Sequence, residues 1–308
     1  MAIAPRCASE CQNKEAGMAE YHFLNLGAGV QSTALYLMSI DGDEPEVPRF
    51  DAAIFADTQE EPDDVYRHLE WLEQQGGPPI VRTTAGKLGD ALLQGTDVKG
   101  NARTDGGHYV SIPAFTLNPE TKQYGVIQRQ CTKDFKIVPV EQWIRKKCGA
   151  APGRAVSKDI TINQYMGLSF DEPKRVIRVK QRFLAKPRNW LVHFPLWEMQ
   201  MDRGDCRAYL KKSVPHKVPR SACVFCPFKR DEEWRWLKEN DPVGWKRAVF
   251  IDSVCRTGTG LDALRFLHRS CQPLEEVDLR PADEKSGQMN MFSHLRGFQD
   301  ECEGYCGN

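Results

Sequence analysis

The residues of this chain best suited to chemistry are its cysteines. The sequence has 11 cysteines in 308 residues, and Cys223 and Cys226 form a C-x-x-C spacing that can turn two thiolates toward one metal or cluster. Pro227 follows directly, which favours an iron–sulfur site. A lone C-x-x-C is nevertheless shared by zinc sites, iron–sulfur sites and dithiol redox sites, so all three readings stay open.

Three further cysteines are candidates for the same site. Cys131 lies among basic residues that favour its thiolate form. Cys302 and Cys306 lie close to the C-terminus and could reach into a site. Structural zinc, or unpaired surface thiols, is the alternative interpretation. The other cysteines in helical or apolar contexts are typical of inert core thiols, namely Cys148, Cys206, Cys255 and Cys271.

A second candidate site is the stretch 21–35, which predicts a short apolar strand, a glycine turn and a helix. Gly27 and Gly29 permit a positive φ and a close backbone approach. Ser32 and Thr33 add hydroxyl donors next to a helix N-terminus, where phosphate or sulfate binds favourably. An ordinary connection between strand and helix, with no ligand, is the alternative.

The elements that must position these residues alternate between strand and helix. The predicted strands after the first are 50–56, 79–83, 160–168 and 191–196. The predicted helices are 34–40, 63–75, 88–93, 140–147, 202–211 and a helical pair over 231–255 that breaks at 241–242. This alternation predicts an α/β fold with a doubly wound, mostly parallel sheet. Ligands of such sheets bind at the carboxyl ends of the strands.

Other polar segments fall near predicted strand ends. Asp57 and Thr58 follow a buried strand, so one ligand could touch both them and the glycine turn; alternatively, Asp57 starts the next helix. The basic run 174–182 is either a solvated face or an anion-binding segment. Residues 95–127, rich in Gly, Thr and Asn, predict a long loop over the active face.

Composition limits the classes of function. Basic and acidic residues number 42 each, so no overall attraction to nucleic acid or to an anionic membrane is expected, although a local basic face is compatible with this balance. The chain lacks an apolar run long enough to span a membrane. Residues 1–20 predict a flexible leader rather than a signal peptide. We therefore expect a cytoplasmic protein, where cysteines favour metal binding or redox catalysis over disulfides.

Taken in order, these motifs resemble those of the phosphoadenosine phosphosulfate (PAPS) reductase family, in its bacterial and phage branch, within the PP-loop (adenine nucleotide α-hydrolase-like) superfamily. The segments that carry the resemblance are 27–33, 53–61, 129–139 and 167–175, and the likeness extends from about Tyr21 to Leu279. It implies a PP-loop α/β domain over 21–212. A helical region over 213–308, with the C-x-x-C and the cysteine tail, would follow.

The resemblance also implies roles for individual residues. Lys136 and Arg175 would supply positive charge to the anionic groups of the substrate. A [4Fe–4S] cluster, or zinc as the alternative, would be held by Cys131, Cys223 and Cys226. Cys302 or Cys306 would be the fourth ligand or the catalytic nucleophile. The residues implied to bind an adenine nucleotide are Gly27, Ala28, Gly29, Val30, Gln31, Ser32, Thr33, Asp57, Thr58 and Arg178.

Two activities accompany this resemblance. Sulfonucleotide reductases cleave PAPS or the unphosphorylated APS with a C-terminal cysteine, and thioredoxin or glutaredoxin is a possible thiol reductant. Related ATP-dependent sulfurtransferases adenylate tRNA or DNA, using ATP and Mg²⁺. We expect the first activity, with the second as the alternative. Thr132 stands where iron–sulfur reductases have a second cysteine, and Gln31 stands where ATP-cleaving members usually have Asp.

Overall fold

The computed structural model describes residues 19–94, 112–127, 131–256 and 263–281. The predicted leader, Cys302, Cys306 and residues 95–111 of the predicted long loop lie outside these ranges. The predictions made for those segments therefore stay predictions.

The described residues form eight strands. These are β1 (Ala19–Asn25), β2 (Ala52–Ala56), β3 (Ile80–Thr83), β4 (Ala114–Leu117), β5 (Tyr124–Ile127), β6 (Ile160–Met166), β7 (Trp190–His193) and β8 (Leu264–Phe266). Five of them make a parallel sheet in the order β3-β2-β1-β6-β7. The others make an antiparallel sheet in the order β5-β4-β8.

Helices follow most of the strands. The α-helices are α1 (Val30–Asp41), α2 (Asp63–Glu73), α3 (Leu88–Gln94), α4 (Val138–Lys147), α5 (Pro173–Phe183), α6 (Pro195–Glu198), α7 (Arg203–Leu210), α8 (Asp231–Asn240) and α9 (Pro242–Cys255). A π-helix over Thr132–Ile137 leads directly into α4, and a 3-10 helix covers Leu274–Glu276.

Both faces of the parallel sheet are buried. Successive side chains of a strand point to opposite faces, so neighbouring residues of β1 show what covers each face. In β1, Leu24 belongs to a buried cluster with α1, α2 and α7, whereas Phe23 belongs to a second cluster with α4 and α5. The sheet is therefore covered by helices on both sides. The expected α/β fold with a mostly parallel sheet is confirmed at this level, and the arrangement is compatible with a doubly wound fold.

Two sequence-based boundaries were wrong in ways that matter for the site. Helix α1 begins at Val30 rather than Ala34, so Gln31, Ser32 and Thr33 lie inside its first turn. The second part of the predicted long loop forms the hairpin of β4 and β5, and β8 pairs with the other edge of β4. Strand β8 comes from a distant part of the chain, so its pairing with β4 is not visible in a local sequence pattern.

A third buried cluster joins the C-terminal region to the rest of the protein. Trp234 of α8 and Ile251 of α9 pack there with Leu88 of α3, Phe135 of the π-helix and the C-x-x-C turn. The helical pair predicted over 231–255 is confirmed, and its break lies at Asp241, whose carboxylate accepts the N–H of Gly244. Within the described ranges, we find no helix with the length and apolar character needed to cross a membrane.

Candidate functional site

The turn between β1 and α1 is buried and internally bonded. The positive φ falls on Ala28 (58°), whereas Gly29 has a φ of −95° and acts as the N-cap of α1. The Ser32 hydroxyl accepts the N–H of Gly27 at 3.1 Å. The same hydroxyl donates to the Gly29 carbonyl at 3.4 Å, and this bond competes with the expected role of Ser32 as a donor to an anion. The backbone N–H groups of the first helical turn, which lack intrahelical partners, are the donors that this geometry offers a ligand.

Gln31 links this turn to the end of β6. Its side chain is fully buried, and its amide nitrogen donates to the Ser169 hydroxyl at 2.6 Å and to the Glu172 carboxylate. Its carbonyl oxygen is buried and accepts no hydrogen bond. The strand order reverses between β1 and β6, which is where open α/β sheets bind ligands. Gln31 therefore presents an unsatisfied acceptor at the switch point of the sheet.

Arg175 belongs to the same network, and Arg178 lies further along the same helix. Arg175 is buried in the first turn of α5, and its guanidinium pairs with the Glu172 carboxylate. Arg178, three residues further along α5, is exposed. Of the two arginines predicted to meet an anion, one is therefore neutralised by a neighbouring carboxylate at the strand ends. The other lies on the solvent-facing side of the helix.

Asp57 follows β2 directly, as predicted, and does not start the next helix, because the N-cap of α2 is Pro62. One carboxylate oxygen of Asp57 accepts the N–H of Gln59 at 2.7 Å and the Tyr66 hydroxyl at 2.9 Å. Burial, followed by the charge of Asp57, raises the pKa of the Tyr66 hydroxyl. Tyr66 therefore stays a donor and fixes the orientation of the carboxylate at the end of the strand.

Glu61 is the centre of a buried polar cluster. One of its oxygens lies 3.2 Å from the Lys136 ammonium and 3.5 Å from the Thr58 hydroxyl, and the other accepts the Ser221 hydroxyl at 3.3 Å. The Glu61 side chain has no exposed area and that of Lys136 is 7% exposed. The positive charge predicted to meet a substrate is thus balanced by Glu61 in this structure.

The C-x-x-C turn packs against the same cluster. The Cys223 sulfur lies 3.1 Å from the Thr58 hydroxyl, and the N–H of Val224 donates to the Glu60 carbonyl at 2.7 Å. Burial, and then the charge of Glu61, raise the pKa of the Cys223 thiol well above its usual value. The turn therefore fixes Cys223 at the carboxyl end of β2 and holds it as a neutral thiol.

The fit of these residues to a metal cluster is incomplete. Cys131 and Cys226 are both partly buried and pack on the cluster that contains Cys223. In the part of the chain that the structure describes, however, no three Cys, His, Asp or Glu side chains converge to hold a metal ion. A cluster held by Cys131, Cys223 and Cys226 therefore stays a prediction. Cys148, Cys206 and Cys271 are buried and Cys255 is partly buried, and their inert role stays a prediction.

Two histidines connect the first turn of α1 to the protein surface through hydrogen bonds. The Thr33 hydroxyl is hydrogen-bonded to Nε2 of His68 at 2.9 Å, and Nδ1 of His68 is bonded to Nε2 of His216 at 2.8 Å. His68 is 1% exposed. Burial, followed by the proximity of His216, lowers the pKa of His68 to about 3. His68 is therefore a neutral link between the first turn of α1 and the exposed His216.

Sequence reasoning missed the acidic and histidine members of this site. Glu61 and Glu172 both lie within motifs that were recognised, but nothing local in the sequence shows that a carboxylate is buried. His68 had a usable signal. It follows Val65 by three residues and precedes Leu72 by four, so it occupies the core-facing side of α2.

Fold and site together define a class, an α/β protein with a parallel sheet flanked by helices and a polar network at the strand ends. No protein-family model matches the chain, and searches of the curated proteins and of the solved structures return no significant match.

The Glu61–Lys136 pair leads to a prediction about stability. Glu61→Gln and Lys136→Met should each lower the free energy of unfolding by about 3–5 kcal/mol, because each leaves a buried charge without its partner. The double variant should lose clearly less than the sum. Urea unfolding measures all four states of this cycle. As a control, the exposed pair Arg82–Glu73, 3.0 Å apart, should show a coupling of at most about 1 kcal/mol. Additive losses at Glu61 and Lys136 would contradict the prediction.

His68 leads to a prediction about pH. The pKa of His68 is depressed in the native state, so the unfolded chain binds a proton that the native chain does not as pH falls below about 6.5. The free energy of unfolding should therefore decrease as the pH decreases. His68→Gln should reduce the slope of this free energy against pH by up to about 1.4 kcal/mol per pH unit, down to about pH 3. Urea titrations at several pH values measure the slope. An unchanged slope with an unchanged m value would refute the assignment.

Proposed function

We propose that this protein is an adenine-nucleotide-binding enzyme of sulfur metabolism that resembles PAPS reductase, with a PP-loop formed by residues 27–33. The observation that carries the proposal is the position of Gln31. Its unsatisfied carbonyl oxygen and the N-terminus of α1 lie together at the switch point between β1 and β6. That combination offers N–H donors to a phosphate or sulfate and an acceptor to an N–H or O–H of the same ligand.

Asp57 supports the same ligand from the neighbouring strand. Its carboxylate is oriented by Tyr66 and is partly exposed at the end of β2. A carboxylate in this position can accept hydrogen bonds from ribose hydroxyls or from the amino group of adenine. A nucleotide would then span the ends of β1 and β2, with its anionic part at α1.

The sulfur chemistry is supported by the position of Cys223 next to Thr58. The C-x-x-C turn is anchored to the loop after β2, on the same edge of the sheet as the proposed nucleotide. If a [4Fe–4S] cluster is bound by Cys131, Cys223, Cys226 and a further ligand, it would supply electrostatic or redox chemistry. For this chemistry the chain itself would supply a buried thiol and the Glu61–Lys136 pair, next to the edge of the sheet that is proposed to bind the nucleotide.

The alternative proposal is an ATP-dependent sulfurtransferase that modifies tRNA or DNA. It is favoured by the exposed basic side of α5, which begins next to Gln31 and Glu172. The two proposals share the nucleotide site and differ in what is consumed, so the substrate separates them.

Nucleotide binding gives the first test. PAPS, APS or ATP with Mg²⁺ should raise the melting temperature, since a ligand at 100 times its Kd adds about 2.7 kcal/mol to native-state stability. Gln31→Leu should abolish most of this shift, because it removes the amide from the switch point. Gln74→Leu, at an exposed position after α2, should retain it. A full shift in Gln31→Leu would remove the basis of the proposal.

Turnover gives the second test. With anaerobically purified protein, a thiol reductant such as thioredoxin should drive release of sulfite from PAPS or APS. Cys223→Ala should lower this rate at least about tenfold, because it removes a proposed ligand of the cluster and the thiol next to the proposed nucleotide site. Cys206→Ala, which truncates a different buried thiol on α7, serves as the control. Pyrophosphate release from ATP that depends on added tRNA or DNA, with no sulfite, would favour the sulfurtransferase instead.

A further inference from the structure

Helix α5 and the residues after it concentrate positive charge. Between Pro173 and Asn189 the chain has seven Lys or Arg residues and no Asp or Glu, in a sequence whose formal net charge is zero. The seven are Lys174, Arg175, Arg178, Lys180, Arg182, Lys186 and Arg188. The rest of the chain therefore has an equal excess of negative charge, and this segment is a local exception.

The geometry of α5 places most of this charge in solvent. Val176, Val179 and Phe183 pack with Arg175 on the side that faces the sheet. Five basic side chains of α5 and the residues just after it are exposed and are called the basic strip: Lys174, Arg178, Lys180, Arg182 and Arg188. Lys174, Arg178 and Arg182 follow one another at four-residue intervals, which places them about 6 Å apart along the helix axis. A row of cations at this spacing suits a chain of phosphates.

The strip starts at the candidate site and leads away from it. Helix α5 begins immediately after Glu172, which is bonded to Gln31 at the switch point. Near the far end, Arg145 of α4 and Lys186 lie over the ring of Trp190, at 5.3 Å and 4.7 Å from its centroid. The last turn of α4 thus brings further basic residues toward the end of α5.

An aromatic side chain lies where the strip meets the site. Phe170 is 45% exposed and its ring centroid is 4.9 Å from that of Trp197. It directly follows Ser169, a partner of Gln31. An exposed ring held in place by a second ring is a platform on which a nucleobase can stack.

We propose that the basic strip binds the phosphate backbone of a single-stranded nucleic acid, with Phe170 stacking on one of its bases. Backbone cations combined with an aromatic platform are the features by which proteins hold single strands. A membrane surface fits less well, because Val176, Val179 and Phe183 of α5 pack against the sheet. Of the large apolar side chains from Pro173 to Asn189, this leaves Ile177 and Leu184 exposed, which is a small apolar surface for membrane insertion. The inference uses the proposed nucleotide site only to explain why the strip starts where it does. Binding to the strip does not require that site.

The test is binding of fluorescent single-stranded RNA and DNA 12-mers to the full chain, measured by anisotropy at several salt concentrations. The logarithm of the association constant should fall linearly with the logarithm of salt, with a slope of about −2 to −3.5 for three to five phosphate contacts. Arg178→Glu/Arg182→Glu should weaken binding at least about tenfold at low salt and flatten the slope by about 1.4. Phe170→Ala should weaken binding with little change in slope, because stacking is uncharged.

The matched control is Lys211→Glu/Lys212→Glu. These exposed residues follow α7, which packs on the opposite side of the sheet, and the double substitution changes the net charge by the same amount. Binding by this control should stay within about twofold of the parent. Lys174→Gln/Arg188→Gln neutralises the strip more mildly and replaces the first variant if that variant does not fold. Melting temperatures equal to that of the parent show that each variant is folded.

Three results would overturn the inference: equal loss of binding in both charge-reversal variants, affinity that does not depend on salt, or binding to phosphatidylserine vesicles without binding to either oligonucleotide. Failure here is distinguishable from failure of the proposed function. Melting shifts with PAPS, APS or ATP report the nucleotide site alone, and Lys174→Gln/Arg188→Gln, which changes no residue assigned to that site, should retain whatever shift the parent shows.

Discussion

The buried Glu61 carboxylate is the interaction on which the candidate site depends most. It accepts from Lys136 of the π-helix, from Thr58 after β2 and from Ser221 just before the C-x-x-C turn. These three segments are far apart in sequence and meet at one charge. A buried carboxylate is costly unless it is paired and hydrogen-bonded, so the fold gains stability only when all three segments are in place. The position of Cys223 follows from this constraint.

The second constraint lies at the switch point, where Gln31 joins α1 to the start of α5. Arg175 is neutralised by Glu172, as Lys136 is by Glu61. A ligand at the strand ends therefore meets paired cations in the protein's own network. An anion bound there, as proposed, would be recognised by the backbone N–H groups of α1, or would replace a carboxylate as the partner of Lys136 or Arg175. Either route makes binding sensitive to the geometry around Gln31.

Much of the fold could be predicted from the sequence, because apolar runs and helix-period patterns are local signals. The strand that became β6 and the helical pair over 231–255 are examples. The hairpin of β4 and β5 was missed because its third strand, β8, comes from another part of the chain. The burial of Glu61 and Glu172 was missed for the same physical reason. A buried charge is specified by its partners, and those partners are brought together only by the tertiary fold.

The distribution of charge differs between the buried site and the exposed surface of α5. The chain is neutral overall, and Lys136 and Arg175 are matched by carboxylates at the strand ends. Between Pro173 and Asn189, by contrast, the sequence has seven basic residues and no acidic one, and five of the seven are exposed along and just after α5. Since the field of exposed cations reaches about 8 Å in physiological salt, the long-range attraction of this protein for an anionic partner comes from that helix. A partner would be captured by α5 first, and the buried network would then discriminate at short range through hydrogen bonds.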